Sequence, residues 1–355
     1  MAEGNLMLEQ ILDELTVEGA LYEKLDATRN AVRCHACAHR CLINEGRRGI
    51  CHVRFNQDGV LRVPSGYVSA LNVDPTEKKP FFHILPGSLT LTFGMLGCDL
   101  HCANCQNWEI SQTLRDPEAG IKPRLATSDQ IMQVAQQYGA QLIGSSYNEP
   151  LITSEWAVEI FKKATAAGLR CLYISNGNAT REALEYLRPF VTGYKIDLKT
   201  MSDKNYRQLG AVRDRVLDTI KMAREMGFWV EIVTLVIPGF NDSNEELWDA
   251  ARFLVSVSPD IPWHVTAFHA DYKMSDHDNT DAKTLLRAAE IGQEAGLRYV
   301  YAGNLPGMTK TYENTYCYHC GELLVARYGY YIHTNKLAGT GRCPKCQTVI
   351  AGIWK

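Results

Sequence analysis

The chain has 355 residues, of which 22% are charged, and its formal net charge is −3. This length allows a full hydrophobic core and two or three structural units, and the small net charge gives no general attraction to nucleic acid or to anionic membranes. No apolar stretch approaches the roughly 20 residues of a membrane span, so a membrane partner is not expected. The 12 cysteines cluster without a secretory signal, which favours bound metals over disulfides and predicts a cytoplasmic location.

The first 33 residues predict a short helical lead, because apolar residues recur at helical intervals from Leu6 to Leu15. A first set of cysteines follows in the pattern C-x₂-C-x₃-C-x₉-C: Cys34, Cys37, Cys41 and Cys51. Such a set indicates a small metal-organised knuckle, which is compatible with zinc and with an auxiliary Fe–S cluster. We expect residues 59–73 to add a short strand pair and residues 1–75 to form an amino-terminal unit.

The second set of cysteines has three members in the pattern C-x₃-C-x₂-C: Cys98, Cys102 and Cys105. A structural zinc site normally has four ligands, whereas three thiolates can hold a 4Fe–4S cluster and leave one iron open. An open iron can bind a substrate or a cofactor. The motif, which follows the apolar stretch 89–95, therefore predicts a reactive site.

From about residue 89 to residue 303, apolar β-rich segments alternate with helical patterns. The predicted strands are Leu89–Met95, Gln141–Ser145, Arg170–Ser175, Gly193–Asp197, Trp229–Ile237, Trp263–Phe268 and Arg298–Ala302. The predicted helices are Ser128–Tyr138, Ser154–Ala167, Arg181–Leu187, Asp214–Met226, Asn244–Val257 and Ala282–Glu294. This alternation predicts an α/β fold with a parallel sheet, and the number of units favours a full or partial TIM-like (β/α) barrel over residues 76–310. The pattern does not decide whether the barrel closes.

Polar residues follow the predicted strands at their carboxyl ends. They are found in 147–150, 176–178, 197–199 and 238–242, at His269 and in 303–304. Barrel enzymes place their active sites at this face, so we expect these residues to surround the reactive site.

The third set of cysteines has the pattern C-x₂-C-x₂₂-C-x₂-C: Cys317, Cys320, Cys343 and Cys346. This spacing is typical of a zinc ribbon, and we expect a small module over residues 311–355 that binds Zn²⁺. A mononuclear iron or an auxiliary cluster is the alternative for this set. The remaining cysteine, Cys171, lies in an apolar run and is predicted to be a core residue.

These motifs together resemble the radical S-adenosylmethionine (SAM) enzymes of the pyruvate formate-lyase activating enzyme group. Within that group the chain resembles the enzyme of the AmmeMemoRadiSam system. The segments that carry the resemblance are 77–83, 85–88, 105–112, 147–150, 197–199 and 314–317. The resemblance implies a 4Fe–4S cluster on Cys98, Cys102 and Cys105, and reductive cleavage of SAM to a 5′-deoxyadenosyl radical that removes hydrogen from a substrate.

The resemblance also implies where SAM binds. Residues 147–149 stand where the family has Gly-Gly-Glu, so Glu149 and the backbone around it would meet the SAM ammonium, and Lys199 would reach the SAM carboxylate. The implied cofactor-binding residues are Asn148, Glu149, Asn176, Asp197, Lys199 and His269. One departure is Asn104, which replaces the aromatic residue that normally contacts adenine. The backbone or Trp108 would then have to supply that contact.

The substrate and the partners remain open at this stage. The resemblance implies a reductant such as flavodoxin or ferredoxin, AmmeMemoRadiSam companion proteins and a radical target, which could be the glycine of a glycyl-radical protein. The alternative reaction is modification of RNA, of another protein, or of a small metabolite or lipid. The non-enzymatic alternative is a binding module stabilised by metals. Nucleic acid is not expected as a partner, because the arginines at positions 40, 47, 48 and 54 predict an ordinary solvated face.

Overall fold

The computed structural model describes residues 2–26 and 30–355. The amino-terminal part contains helix α1 and eight short strands: α1 (Ala2–Glu14), β1 (Thr16–Glu18), β2 (Tyr22–Asp26), β3 (Ala31–Cys34), β4 (Leu42–Ile43), β5 (Phe55–Gln57), β6 (Val60–Pro64), β7 (Tyr67–Val68) and β8 (Ala70–Pro75). Two small antiparallel sheets have the strand orders β1-β6-β5 and β2-β3-β4. The helical lead therefore ends at Glu14, and strands occupy part of the remaining lead.

The central part alternates strands with helices as predicted. Its strands are β9 (Leu89–Gly94), β10 (Arg124–Leu125), β11 (Leu142–Ser145), β12 (Arg170–Ser175), β13 (Val191–Asp197), β14 (Trp229–Val236), β15 (Trp263–Ala267) and β16 (Val300–Gly303). Its α-helices are α2 (Trp108–Ser111), α3 (Ser128–Gln137), α4 (Ser154–Ala166), α5 (Arg181–Leu187), α6 (Asp203–Leu209), α7 (Arg213–Glu225), α8 (Asn244–Val257) and α9 (Ala282–Glu294). The sequence pattern did not reveal β10, α2 and α6, which are short.

Eight strands form the central sheet, in the spatial order β16-β15-β14-β13-β12-β11-β9-β8. Strands β9 and β11 to β16 run parallel, whereas β8 pairs antiparallel with β9. In the described part of the chain β8 and β16 are the two edges of this sheet, so a closed barrel is not formed. The structure also places β8, which we expected in the amino-terminal unit, in the central sheet.

Local sequence explains why the helices begin where they do. Thr127 accepts a hydrogen bond from the backbone of Gln130, and the Gln130 side chain accepts one in return from the Thr127 backbone, which makes a capping box for α3. Ser243 caps α8 by accepting from the backbone of Glu246. The parallel strands are buried along most of their length, as expected where helices cover a parallel sheet.

The segment from Phe81 to Ile84 fills the space between the sheet and the carboxyl-terminal module. Phe81 and Ile84 pack with Leu142 and Leu172 in one buried cluster. A Cβ on Gly193 would clash with the side chains of Ile84 and Leu172, so glycine permits this close approach. The segment closes the inner face of the sheet near the amino ends of its strands.

The carboxyl-terminal module contains an antiparallel sheet of β17 (Thr315–Tyr316), β18 (Leu323–Tyr328) and β19 (Tyr331–Asn335). Buried charged groups attach it to the central sheet. Glu231 accepts hydrogen bonds from the backbone amides of Phe82 and His83, at 3.0 and 2.9 Å. Arg327 donates to the Phe82 carbonyl at 2.9 Å and to Thr315 at 2.8 Å. The carboxyl-terminal module is therefore joined to the central sheet through the segment from Phe81 to Ile84.

Candidate functional site

The three cysteines of the C-x₃-C-x₂-C motif lie in the loop between β9 and α2. They line a cavity of about 460 Å³ at the carboxyl ends of the central strands. This volume is within the usual range for small-molecule sites. The cavity contains five of the six predicted cofactor-binding residues: Asn148, Glu149, Asn176, Asp197 and Lys199.

The cysteine loop is held by hydrogen bonds from the segment that follows it. Arg115 donates to the Leu100 carbonyl at 2.6 Å, and Gln112 donates to the same carbonyl at 3.3 Å. The Leu100 amide points to the sulfur of Cys98 at 3.4 Å, and the hydroxyl of Ser111 lies 3.1 Å from the sulfur of Cys105. The loop geometry therefore depends on groups that do not belong to the motif.

The donor set of this cavity fits a 4Fe–4S cluster. The three sulfurs share one cavity, but they are not gathered closely enough to coordinate a single ion, as among the described residues those of the C-terminal set are. A single ion would need closer sulfurs, whereas a cluster spreads its thiolates over several irons. Burial raises the pKa of Cys102 to about 11, so binding iron would release protons from these thiols.

Glu149 is buried at the edge of the cavity, and three hydrogen bonds hold its carboxylate in place. It accepts hydrogen bonds from the Ser175 hydroxyl at 2.7 Å, from the Asn176 amide at 2.6 Å and from the Leu151 amide at 3.0 Å. Burial and the nearby carboxylate of Asp99 raise the pKa of Glu149. A cation placed in the cavity would stabilise its ionised form, as the predicted SAM ammonium contact requires.

The turn before Glu149 has a backbone conformation that favours glycine. Tyr147 has φ +73°, a left-handed conformation that residues other than glycine rarely adopt. Its hydroxyl is held by three polar side chains: Asn72, Thr92 and Lys79. Gly94 permits the turn, since a Cβ there would lie 2.6 Å from the Ser146 carbonyl. Asn148 accepts from the Met95 amide at 3.1 Å and so ties this turn to the start of the cysteine loop.

Asp99 is a site residue that sequence reasoning missed. This fully buried carboxylate accepts hydrogen bonds from the side-chain amides of Asn176 at 2.7 Å and Asn178 at 2.8 Å. His39 of the amino-terminal knuckle lies 3.2 Å from the Asp99 carbonyl, and the Ala38 amide donates to the Asn178 carbonyl at 2.8 Å. Asp99 thus connects the cysteine loop, the β12 turn and the knuckle. Its position inside the motif was the available signal.

A second missed residue is Lys195, which lies two residues before Asp197 on the same face of β13. The Asp197 carboxylate binds Lys195 and also Lys199, the latter at 3.3 Å. Burial alone would raise the pKa of Asp197, but these two lysines hold this pKa below its ordinary value. Burial lowers the pKa of Lys199, but the Asp197 carboxylate and the Cys102 sulfur raise it above its ordinary value overall. The ammonium group of Lys199 therefore remains charged, and both lysines line the cavity, where either could pair with a carboxylate ligand.

His269 and Trp108 lie away from the cavity lining. His269 is exposed and lies 2.9 Å from the side-chain amide of Gln106, which does line the cavity. Trp108 stacks on Tyr272 with the ring centres 5.1 Å apart. The structure therefore does not favour Trp108 as an adenine contact, whereas Asn104 lies in the cavity wall.

The two outer cysteine sets differ in geometry. In the C-terminal set the sulfur of Cys317 lies 3.6 Å from that of Cys346, and the sulfur of Cys320 lies 3.6 Å from that of Cys343. Tetrahedral Zn–S bonds imply sulfur separations of about 3.8 Å, so this set fits a single metal ion. The four cysteines of the N-terminal set line one small cavity, but their sulfurs are too far apart to bind one ion together.

The cluster of arginines around the N-terminal set is largely neutralised. Arg40 pairs with Glu182 at 2.6 Å, Arg48 pairs with Asp13 at 2.6 Å, and the buried Arg54 pairs with a carboxylate on α4. These ion pairs balance the arginine charges within the protein, and Arg54 is buried rather than part of the predicted solvated face. No helix in the described ranges 2–26 and 30–355 combines the length and apolar character needed to cross a membrane.

Comparison with known proteins agrees with this site. Residues 93–254 match the model of the Radical SAM superfamily. The "Uncharacterized protein MJ0808" of Methanocaldococcus jannaschii is 38% identical over 332 residues, which cover 93% of this chain and 97% of that protein. The "Pyruvate formate-lyase-activating enzyme" of Staphylococcus aureus is 23% identical over 59% of this chain and 88% of its own length. The "Isethionate sulfite-lyase activating enzyme" of Desulfovibrio desulfuricans is 25% identical over 48% of this chain and 55% of its own length.

The chain belongs to the Radical SAM superfamily, whose members are enzymes with a 4Fe–4S cluster and SAM. It is distantly related to pyruvate formate-lyase activating enzymes. The matched residues include the whole C-x₃-C-x₂-C motif and the strands that precede Glu149, Asn176 and Lys199.

Proposed function

We propose that this protein is a radical SAM enzyme that cleaves SAM reductively and removes a hydrogen atom from a substrate bound in the cavity. The observation that carries the proposal is the placement of three cysteine sulfurs in one cavity with Glu149 and Lys199. A bound 4Fe–4S cluster supplies the electron that converts SAM to methionine and a 5′-deoxyadenosyl radical.

The cavity residues have separate roles in this proposal. Cys98, Cys102 and Cys105 hold the cluster. Glu149, kept in place by three hydrogen-bond donors, receives the SAM ammonium. The ammonium group of Lys199 or of Lys195 receives the SAM carboxylate.

The test is an assay of SAM cleavage with anaerobically reconstituted protein and dithionite. We expect 5′-deoxyadenosine and methionine from the wild type and from Cys171→Ala, and neither product from Cys102→Ala. We expect Glu149→Gln to raise the KM for SAM by about tenfold, since it removes the carboxylate that faces an ammonium group. Equal product from the wild type and Cys102→Ala would overturn the proposal.

For the substrate, we propose a glycyl residue of a partner protein, because two relatives are named as activating enzymes. We also propose that the enzyme acts in the AmmeMemoRadiSam system, with flavodoxin or ferredoxin as its reductant, on the basis of the sequence resemblance. Deuterium transfer into 5′-deoxyadenosine from candidate substrates tests the first point. Label from an α-deuterated glycyl protein supports it, and label from RNA, a lipid or a small metabolite instead contradicts it.

A further inference from the structure

We propose that Cys34, Cys37, Cys41 and Cys51 hold an auxiliary 4Fe–4S cluster that passes electrons to the cluster on Cys98, Cys102 and Cys105. The proposal does not require SAM cleavage. It depends on the geometry of the four sulfurs, on a buried cation beside them and on the contacts between the two cysteine sites.

The sulfur geometry distinguishes this set from the zinc-like C-terminal set. All four cysteines line one small cavity, and three of them are buried. Among the described residues, however, no three of these sulfurs lie close enough together to share a single ion. The three cysteines of the SAM site share this property. A single zinc ion needs close sulfurs, whereas a cluster binds each thiolate through a different iron.

Polar groups around the cavity provide independent support for a bound anionic group. Arg54 lines the same cavity, is 1% exposed, and is held by Glu155 through its two terminal nitrogens at 2.8 Å. Within the described chain, the Nε of this arginine has no hydrogen-bond partner, an uncommon state for a buried donor. The amide of Ile50 points to the sulfur of Cys41 at 3.5 Å. Both donors suit the thiolates and sulfides of a cluster.

The two cysteine sites are in direct contact. Arg115 donates to the Ile50 carbonyl at 2.7 Å and to the Cys98 carbonyl at 3.2 Å, so a single guanidinium joins the two loops. Val53 packs on Gly97, where a Cβ would lie 2.9 Å from its side chain. Cys41 is the partly exposed member of the set and lies toward solvent. The arrangement suits electron entry near Cys41 and transfer to the Cys98 loop.

The transfer requires a one-electron donor of the flavodoxin or ferredoxin class. The donor is oxidised by one electron, and the auxiliary cluster is reduced and then reoxidised as it reduces the SAM cluster. No bond forms or breaks and no proton is needed. The auxiliary cluster therefore ends in its starting state.

The test for the cluster uses the full chain with Cys98→Ala, Cys102→Ala and Cys105→Ala combined, reconstituted anaerobically with iron and sulfide. We expect about four irons and four sulfides per chain, with one zinc, and an EPR signal on reduction. Adding Cys41→Ser should remove most of this iron but leave the zinc. Wild-type protein should contain about eight irons, a count that does not require the triple variant to fold. Two zincs without sulfide, or about four irons in the wild type, would overturn the proposal.

The test for electron transfer compares two reductants on Cys41→Ser. With reduced flavodoxin we expect the SAM cluster to be reduced about tenfold more slowly than in the wild type, since its relay is lost. With dithionite, which reaches the SAM cluster directly, the rate should change far less. Cys171→Ala is the matched control and should follow the wild type with both reductants. Equal slowing with both reductants, or none with flavodoxin, would contradict the relay.

Discussion

The two four-cysteine sets flank the same sheet but lie at its opposite ends. The N-terminal set packs behind the cysteine loop at the carboxyl ends of the strands, where the cavity lies. The C-terminal module contacts residues near the amino ends, such as Trp229 and Tyr299, which surround His83. Equal numbers of cysteines therefore do not imply equal roles. Position and sulfur spacing are the grounds on which we propose an electron carrier at one end and a structural metal ion at the other.

Removing metal from the C-terminal set should have the largest effect on stability. Cys320→Ser combined with Cys346→Ser should lose zinc and lower the free energy of unfolding by about 4 kcal/mol, because Cys317 and Cys343 belong to the small core that the metal organises. Denaturant unfolding and zinc analysis measure this. Cys41→Ser should keep its zinc and lose less stability, since the N-terminal set is also held by Arg54 and Arg115. A larger loss in Cys41→Ser would reverse the comparison.

Acid should weaken the C-terminal attachment before the N-terminal one. Burial lowers the pKa of His83 to about 4. Burial alone would raise the pKa of Glu231, but the hydrogen bond from His264 lowers this pKa below its ordinary value. The unfolded chain therefore binds a proton at His83 from about pH 6.5, and the stability present above that pH is lost as the pH falls toward 4. The loss from His83 alone should reach about 3 kcal/mol. Glu231 adds to it as the pH falls below about 4.5.

Unfolding curves between pH 7.5 and pH 4, with proteolysis to identify the first region to open, check this prediction. His277→Gln is the control, because His277 is exposed and should leave the profile unchanged. If the profile is flat down to pH 4, the account of this buried network is wrong.

On the N-terminal side, Asp99→Asn should disturb both iron sites but not the zinc. The substitution gives the side-chain amides of Asn176 and Asn178 one acceptor instead of two, which should cost about 2 kcal/mol. Thermal unfolding and metal content measure the outcome. Asp203→Asn on the surface is the control. Retention of the iron of both sites and of full stability would show that Asp99 does not connect the two sites.

The smallest effect is expected from the lone cysteine. Cys171 is fully buried in β12, and its sulfur has only a weak contact with a backbone carbonyl 3.9 Å away. Cys171→Ala should cost about 1 kcal/mol and leave iron, sulfide and zinc contents unchanged. Any change in metal content would assign this cysteine a ligand role.

The sequence allowed the α/β fold and the seven parallel strands to be predicted, because buried β-rich runs and capped helices repeat regularly. It did not show that the sheet stays open, since closure depends on edge contacts between β8 and β16. The cysteine loop could be predicted because three cysteines at this spacing are sufficient to indicate a 4Fe–4S cluster. Asp99 and Lys195 could not, because their importance comes from neighbours that are distant in sequence. Our proposal of a cluster rather than a zinc ion on the N-terminal set rests on the positions of the sulfurs, which cysteine spacing alone does not reveal.

The central claim is that three thiolates leave one iron free to bind SAM beside Glu149. Pulsed EPR of the reduced protein with SAM labelled by ¹⁵N in its amino group tests this claim most directly. The account predicts a ¹⁵N hyperfine coupling on the signal of the Cys98, Cys102 and Cys105 cluster, and its loss in Cys102→Ala. If the cluster signal shows no ¹⁵N coupling after labelled SAM is added, the account is contradicted.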